Sequence, residues 1–419
     1  MGVNCIRTWA FADGIGPSSL QPEVGVFNEA VFESLDKVVA TCKSLKMRLI
    51  LVLTNFWPEY GGMAQYVKWS REQAGEPCSV VDEQHEVLAS HFYDDPWCRK
   101  AFMKFVETLI LRKNTITGIL YRDDPTIIGW SLANEPRQYL DAGCTKQSLQ
   151  TWSHMMAKFV HSLDRNHLVF MDSEGFFGPS TENRKKRSSN PFDASKYGTD
   201  FAVDCSSPYI DVCCIHAYPE KWLQTSDGKK IYGFMEKWMK DHLDVCENKL
   251  KKPLLLSEFG FVHSSEKSEN YVDFASLMVQ YLKKKTNLVG NLFWNACSGS
   301  YGGKDTYAVD VCDETDLDSE DFSKQIIEEM CYAMRKGCYG LATFTSKRIQ
   351  ISDEVIVDEP LSKKNDREEI EKAKKPHMVN ALDITESEAE IPWGRPKNDV
   401  TEYDDPLIDP ERMSCCKCM

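Results

Sequence analysis

Apolar and polar positions follow two rhythms along this chain. Short, nearly continuous apolar runs recur: Gly2 to Trp9, Arg48 to Thr54, Thr126 to Leu132, His167 to Met171, Tyr209 to Ile215, Pro253 to Ser257 and Val289 to Phe293. Such runs, bounded by polar or turn-forming residues, predict buried strands of a parallel sheet. Between them apolar residues return every three or four positions, as at Val31, Leu35, Val38, Val39 and Cys42 within Phe27 to Lys46. The same spacing predicts helices over Pro96 to Arg112, Gln147 to Leu163, Phe234 to Cys246, Tyr271 to Lys284 and Asp321 to Lys336. The stretch holding Gly61, Gly62 and Trp69 reads as a long insertion, and Ser173 to about Ser207 as a polar excursion.

Strands alternating with helices build βαβ units. The expected fold is an α/β (β/α)8 TIM barrel lacking its first strand, since seven strands are found and closure needs eight. The chain starts inside what looks like the second strand. Without a strand between the first and last runs, unpaired backbone edges would face each other, and marginal stability is expected. The strand-like Arg348 to Val357 would have to cross from the far end of the chain to fill that place, which is not expected. Residues 1–340 are read as the barrel. Residues 341–419 are charged, Pro-bearing and poor in apolar residues, the composition of a disordered tail.

Several runs end in polar or aromatic residues, at the strand ends where barrels keep their chemistry. Thr126 to Leu132 runs into Asn134-Glu135-Pro136-Arg137, and Pro136 has no N–H to continue the ladder. Pro253 to Ser257 runs into Glu258-Phe259-Gly260. Two glutamates at one end of a barrel are what retaining glycoside hydrolysis needs. Glu135 is read as the acid/base and Glu258 as the nucleophile. Arg7 would hold Glu258 ionised, Tyr218 would donate to it, and His216 would bond near Glu135. Asn134 would meet the sugar 2-OH, and Trp294 would offer a flat apolar floor.

Composition narrows the partners. A formal charge of −14 argues against nucleic acid or an anionic membrane. No stretch is long and apolar enough to span a membrane. No metal or organic cofactor is implied, and a monomer is expected. Sixteen Cys are scattered without zinc spacing, and Cys213-Cys214 read as buried small hydrophobes. Neither a secretory signal nor an Asn-x-Ser/Thr sequon is present. Cys416 stands where a C-terminal prenylation motif would place it, but Lys417 and Cys418 depart from the aliphatic pattern.

The stretches CIRTWAFADG (Cys5–Gly14), RLILVLTNFWPEYGGMAQYVKW (Arg48–Trp69), DDPTIIGWSLANEPR (Asp123–Arg137), SEGFFG (Ser173–Gly178), GTDF (Gly198–Phe201), HAYPEKW (His216–Trp222), KKPLLLSEFG (Lys251–Gly260) and LFWNACSGSY (Leu292–Tyr301) occur in order over about residues 1 to 310. Together they resemble plant- and fungal-type endo-β-1,4-mannanases of glycoside hydrolase family 5. The resemblance implies an extracellular TIM-barrel enzyme that cuts internal linkages of mannan, glucomannan or galactomannan. Glu135 matches the family's acid/base and Glu258 its nucleophile; Arg7, Asn134, His216, Tyr218 and Trp294 match its active-site residues. By the same comparison Trp9 and Arg137 match substrate contacts, and Asn55 and Trp57 fall on the cleft rim. Asn295 and the short segment after it depart from the family pattern, as does the tail. A mannan transglycosylase, a β-1,4-glucanase or an inactive carbohydrate binder would share much of this site.

Overall fold

The computed structural model describes residues 2–76, 85–144, 147–180, 184–262, 267–284, 286–298, 305–311, 323–336, 342–343 and 350–351. Seven strands form one parallel sheet in chain order: β1 Cys5–Trp9, β2 Arg48–Val52, β3 Ile127–Ser131, β4 Leu168–Asp172, β5 Val212–Ala217, β6 Leu254–Phe259 and β7 Leu288–Phe293. Each pairs with the next, and β1 and β7 are the two ends of the order. The ends nevertheless approach one another, so the sheet curls into a nearly closed ring.

The seam is visible in the burial. Every residue of β5 and β6 is buried, whereas all five of β1 are only half-buried. In β7 Leu288 is buried, Val289 is 61% exposed, and the rest are half-buried. At the carboxyl end Trp9 and Trp294 meet across the seam, ring centroids 5.9 Å apart.

Helices α1 Glu29–Ser44, α2 Gly62–Ala74, α3 Pro96–Ile110, α4 Ser148–Leu163, α5 Gly228–Asp244 and α6 Lys267–Lys283 connect the strands. Their starts follow local chemistry. Asn28 caps α1 by accepting from the N–H of Ala30, and Asp95 caps α3 from Trp97 and Cys98, with Pro96 at the first position. Asp227 caps α5 in the same way. A small cluster of Ile50, Phe170, Val212, Cys214 and Leu255, with Cys5, Ile128 and Leu292 at its edge, draws on all seven strands. The main core packs the helices around them.

Two expectations are corrected. The insertion is largely helix α2. The helix is preceded by Gly61, whose φ of 82° favours glycine, and a Cβ there would lie 2.2 Å from the carbonyl of Asp13. Strands β5 and β6 run on through His216 and Glu258, because both residues pair in the ladder. As expected, Gln350–Ile351 does not join the ring; it pairs antiparallel with Ala342–Thr343 in a separate two-stranded sheet. Cys213 and Cys214 carry free thiols and are buried as expected. Cys416 and the tail beyond residue 351 lie outside the described residues. Among the described residues no helix is long and apolar enough to cross a membrane.

Candidate active site

Glu135 and Glu258 converge at the carboxyl end of the ring. One carboxylate oxygen of each, with a ring nitrogen of His216, lies within 4.8 Å of the others. Such a trio could bridge a cation, but these side chains already bond to one another and to Arg7.

Glu135 sits just beyond β3 with φ of 45°, in the left-handed region that costs a non-glycine residue about 1–3 kcal/mol. Pro136 follows, and the Glu135 N–H donates to the carbonyl of Asp172 at 3.0 Å. These turn its side chain over the ring. His216 Nδ1 lies 2.6 Å from Glu135 Oε1, and Trp57 Nε1 donates to Oε2 at 2.5 Å. Glu258 has different partners. Arg7 Nη1 donates to its Oε1 at 2.6 Å, and the Tyr218 hydroxyl donates to Oε2. Both Glu258 oxygens are thereby occupied as acceptors, the pattern of a carboxylate.

Arg7 is a three-way clamp. Besides Glu258, its Nε donates to Asp172 at 2.5 Å and its Nη2 to Asn134 Oδ1 at 2.6 Å. Asn134 Nδ2 in turn donates to Asn55 Oδ1 at 3.0 Å. Asn55 is only 2% exposed, so it lies beneath the cleft and orients Asn134, not at the rim. Trp57 likewise reaches inward to Glu135. Arg137 is buried, forks onto Glu174 at 2.5 and 2.6 Å, and lies over the rings of Tyr197 at 4.1 Å and Trp57 at 4.9 Å. Trp9 and Trp294 are both half-buried, and the Arg7 guanidinium lies 5.1 Å from the centre of the Trp9 ring.

Asp172 and Glu174 were not legible as site residues. Asp172, 1% exposed, accepts four side-chain hydrogen bonds, from Arg7, His216, Ser131 and Ser257. Gly175 follows Glu174 with φ of 97°, and a Cβ there would lie 2.6 Å from Ile215, so the chain packs close against β5.

Burial alone would strip charge from every one of these groups. For Asp172 the Arg7 charge and the His216 bond outweigh burial and hold it well below the usual carboxylate range. Burial would lower His216, but the Glu258 charge and the bonds to Asp172 and Glu135 raise it to about 10. Burial pushes Glu135 up, and the His216 bond and charge bring it below its ordinary value. Glu258 is raised by burial, which the His216 and Arg7 charges only partly offset. Burial and the Glu135 charge raise Glu174 to about 7. In the free site the exchangeable proton therefore rests on His216, beside Glu135.

The chain is similar to known proteins over most of its length. The family model described as "GH family 5 beta-mannosidase-like" matches residues 1–308. The chain is 35% identical over 343 residues to mannan endo-1,4-beta-mannosidase 2 of Arabidopsis thaliana, covering 80% of this chain and 75% of that one. It is 37% identical over 337 residues to mannan endo-1,4-beta-mannosidase 1 of Solanum lycopersicum, covering 80% and 79%. Among solved structures it is similar to the endo-beta-1,4-mannanase of Thermotoga petrophila, with 28% identity, a TM-score of 0.64, and coverage of 80% and 71%. The endo-1,4-beta-mannanase of Rhizomucor miehei gives 26%, 0.63, and coverage of 80% and 87%. The chain belongs to the β-mannosidase-like branch of glycoside hydrolase family 5.

Proposed function

We propose that this protein is an endo-acting, retaining glycosidase that cuts internal β-1,4-mannosidic linkages of mannan, glucomannan or galactomannan. The observation that carries the reading is the pair Glu135 and Glu258, close together yet given different partners. Arg7 never releases its proton, so Glu258 is the carboxylate kept free to attack the anomeric carbon. The partner of Glu135 is titratable. The proton on His216 Nδ1 crosses 2.6 Å to Glu135 Oε1 and then passes to the leaving oxygen as the glycosidic bond breaks. Water next attacks the glycosyl-enzyme, Glu135 takes its proton, and Glu258 leaves. Trp9 and Trp294 would support the sugar ring during these steps. Asn134, Arg137, Asn55 and Trp57 serve as substrate contacts or as the frame for them.

An extracellular setting among cell-wall polysaccharides and a monomeric enzyme go with this substrate. The test is mannan hydrolysis by the purified chain, followed by viscosity and by reducing ends. An endo enzyme drops viscosity early, before many ends appear. Binding of mannan without release of ends would overturn the reading in favour of a carbohydrate binder, and faster cutting of a β-1,4-glucan would move the substrate.

A further inference from the structure

Beneath the two glutamates lies a third carboxylate with no route to the cleft. Asp172 ends β4, and its donors come from four other strands: Arg7 on β1, Ser131 on β3, His216 on β5 and Ser257 on β6. Oδ2 accepts from Arg7 Nε at 2.5 Å and Ser131 Oγ at 2.8 Å. Oδ1 accepts from Ser257 Oγ at 2.5 Å and His216 Nε2 at 3.1 Å. A carboxylate surrounded by four donors has no reason to be protonated. Facing it, Nε2 of His216 must carry a hydrogen, since an ionised carboxylate can only accept. The other ring nitrogen, Nδ1, is then the one whose proton can come and go, and it is the one that faces Glu135.

We propose that Asp172 is a positioning residue: by fixing the Nε2–H of His216 it keeps the exchangeable proton on Nδ1, the nitrogen beside Glu135. The inference rests on Glu135 acting as the acid/base. The titratable and charged groups around the imidazole are Glu135, Asp172 and Glu258 in contact, with Glu174, Tyr218, Arg7 and Arg137 behind them. Of these only Asp172 meets Nε2. Removing its charge leaves Glu135 and Glu258 as the anions that favour the imidazolium, so the shared proton is lost at lower pH. Burial resists the charge on His216 and its carboxylate neighbours maintain it.

Two measurements test this. In the protein as it stands, long-range nitrogen NMR of His216 at pH 7 should show both ring nitrogens protonated, and on titration Nδ1 should lose its proton first. An Nε2 without hydrogen would overturn the proposal with no variant needed. Asp172→Asn should then shift the alkaline limb of kcat on mannan down by at least one pH unit, a loss that grows towards tenfold once pH passes the unshifted limb. On an aryl glycoside whose leaving group needs no proton, the rate of the first step should change less than threefold. A residue that merely braced Arg7 would slow that first step equally and leave the limb in place, and that result would also overturn the proposal. Failure of the underlying reading shows separately, because Glu135→Gln would then leave mannan hydrolysis intact.

Discussion

A carboxylate oxygen of Glu135 and one of Glu258 lie within 4.8 Å of each other, although the two residues come from strands three apart in the sheet. Inverting enzymes hold their carboxyl groups roughly 6.5–9.5 Å apart to seat a water, and retaining enzymes about 5–5.5 Å. The product of a mannooligosaccharide should therefore appear first as the β-anomer. Proton NMR during the first minutes of reaction reads this directly, and initial release of the α-anomer would rule out the covalent route.

The different partners of the two glutamates predict different failures. Glu258→Ala should lose turnover on every substrate, by a factor of about 10⁴ or more, since no other group is placed to attack. Glu135→Ala should fail on mannan but form the glycosyl-enzyme normally from a dinitrophenyl glycoside, whose leaving group needs no acid. Azide should then restore its turnover and yield the β-azide. If the two variants respond alike, the roles are wrongly divided.

The buried charges also set the pH range of stability. His216 is raised to about 10 from an unfolded value of about 6.5, so its contribution is complete below about pH 6.5 and drains away as pH climbs towards 10. Asp172 is lowered, so its contribution is present above an unfolded value of about 3.9 and lost as pH falls below it. Melting temperature should be highest between those limits. His216→Asn should flatten the alkaline decline while lowering the maximum. An alkaline decline of unchanged steepness in that variant would trace the loss to another group.

The seam between β1 and β7 predicts a response to an added strand. A strand seated there would satisfy backbone groups on both edges, each hydrogen bond contributing about 0.5–1.5 kcal/mol net. Joining a strand–helix unit from a related enzyme ahead of Cys5 should raise the melting temperature by about 4 °C or more and increase specific activity on mannan. Equal melting of the two proteins would mean that the half-buried edges of β1 and β7 carry no unmet bonding.

The strand and helix order was legible because each element carries its own period, and the two glutamates because each follows an apolar run. Helix α2 was hidden behind Gly61 and Gly62, which read as part of a long insertion although Gly61 serves to bring the chain against Asp13. Asn55 looked like a rim residue because its place beneath Asn134 is set by a neighbouring strand end. Asp172 was hidden for a deeper reason. Locally it is one acidic residue closing Leu168–Asp172, like many that begin a turn. Its importance comes from four donors supplied by residues up to 165 positions away, and no local pattern encodes that convergence.

The meeting of Trp9 and Trp294 gives the molecule an optical gauge of its own. Two indoles with centroids 5.9 Å apart, inclined at 49°, are close enough for their excited states to couple. One ring belongs to each lip of the seam, so the coupling strength tracks how widely the ring is opened. Near-ultraviolet circular dichroism can therefore follow the gap as sugar binds, as temperature rises or as a strand is added, with no dye attached.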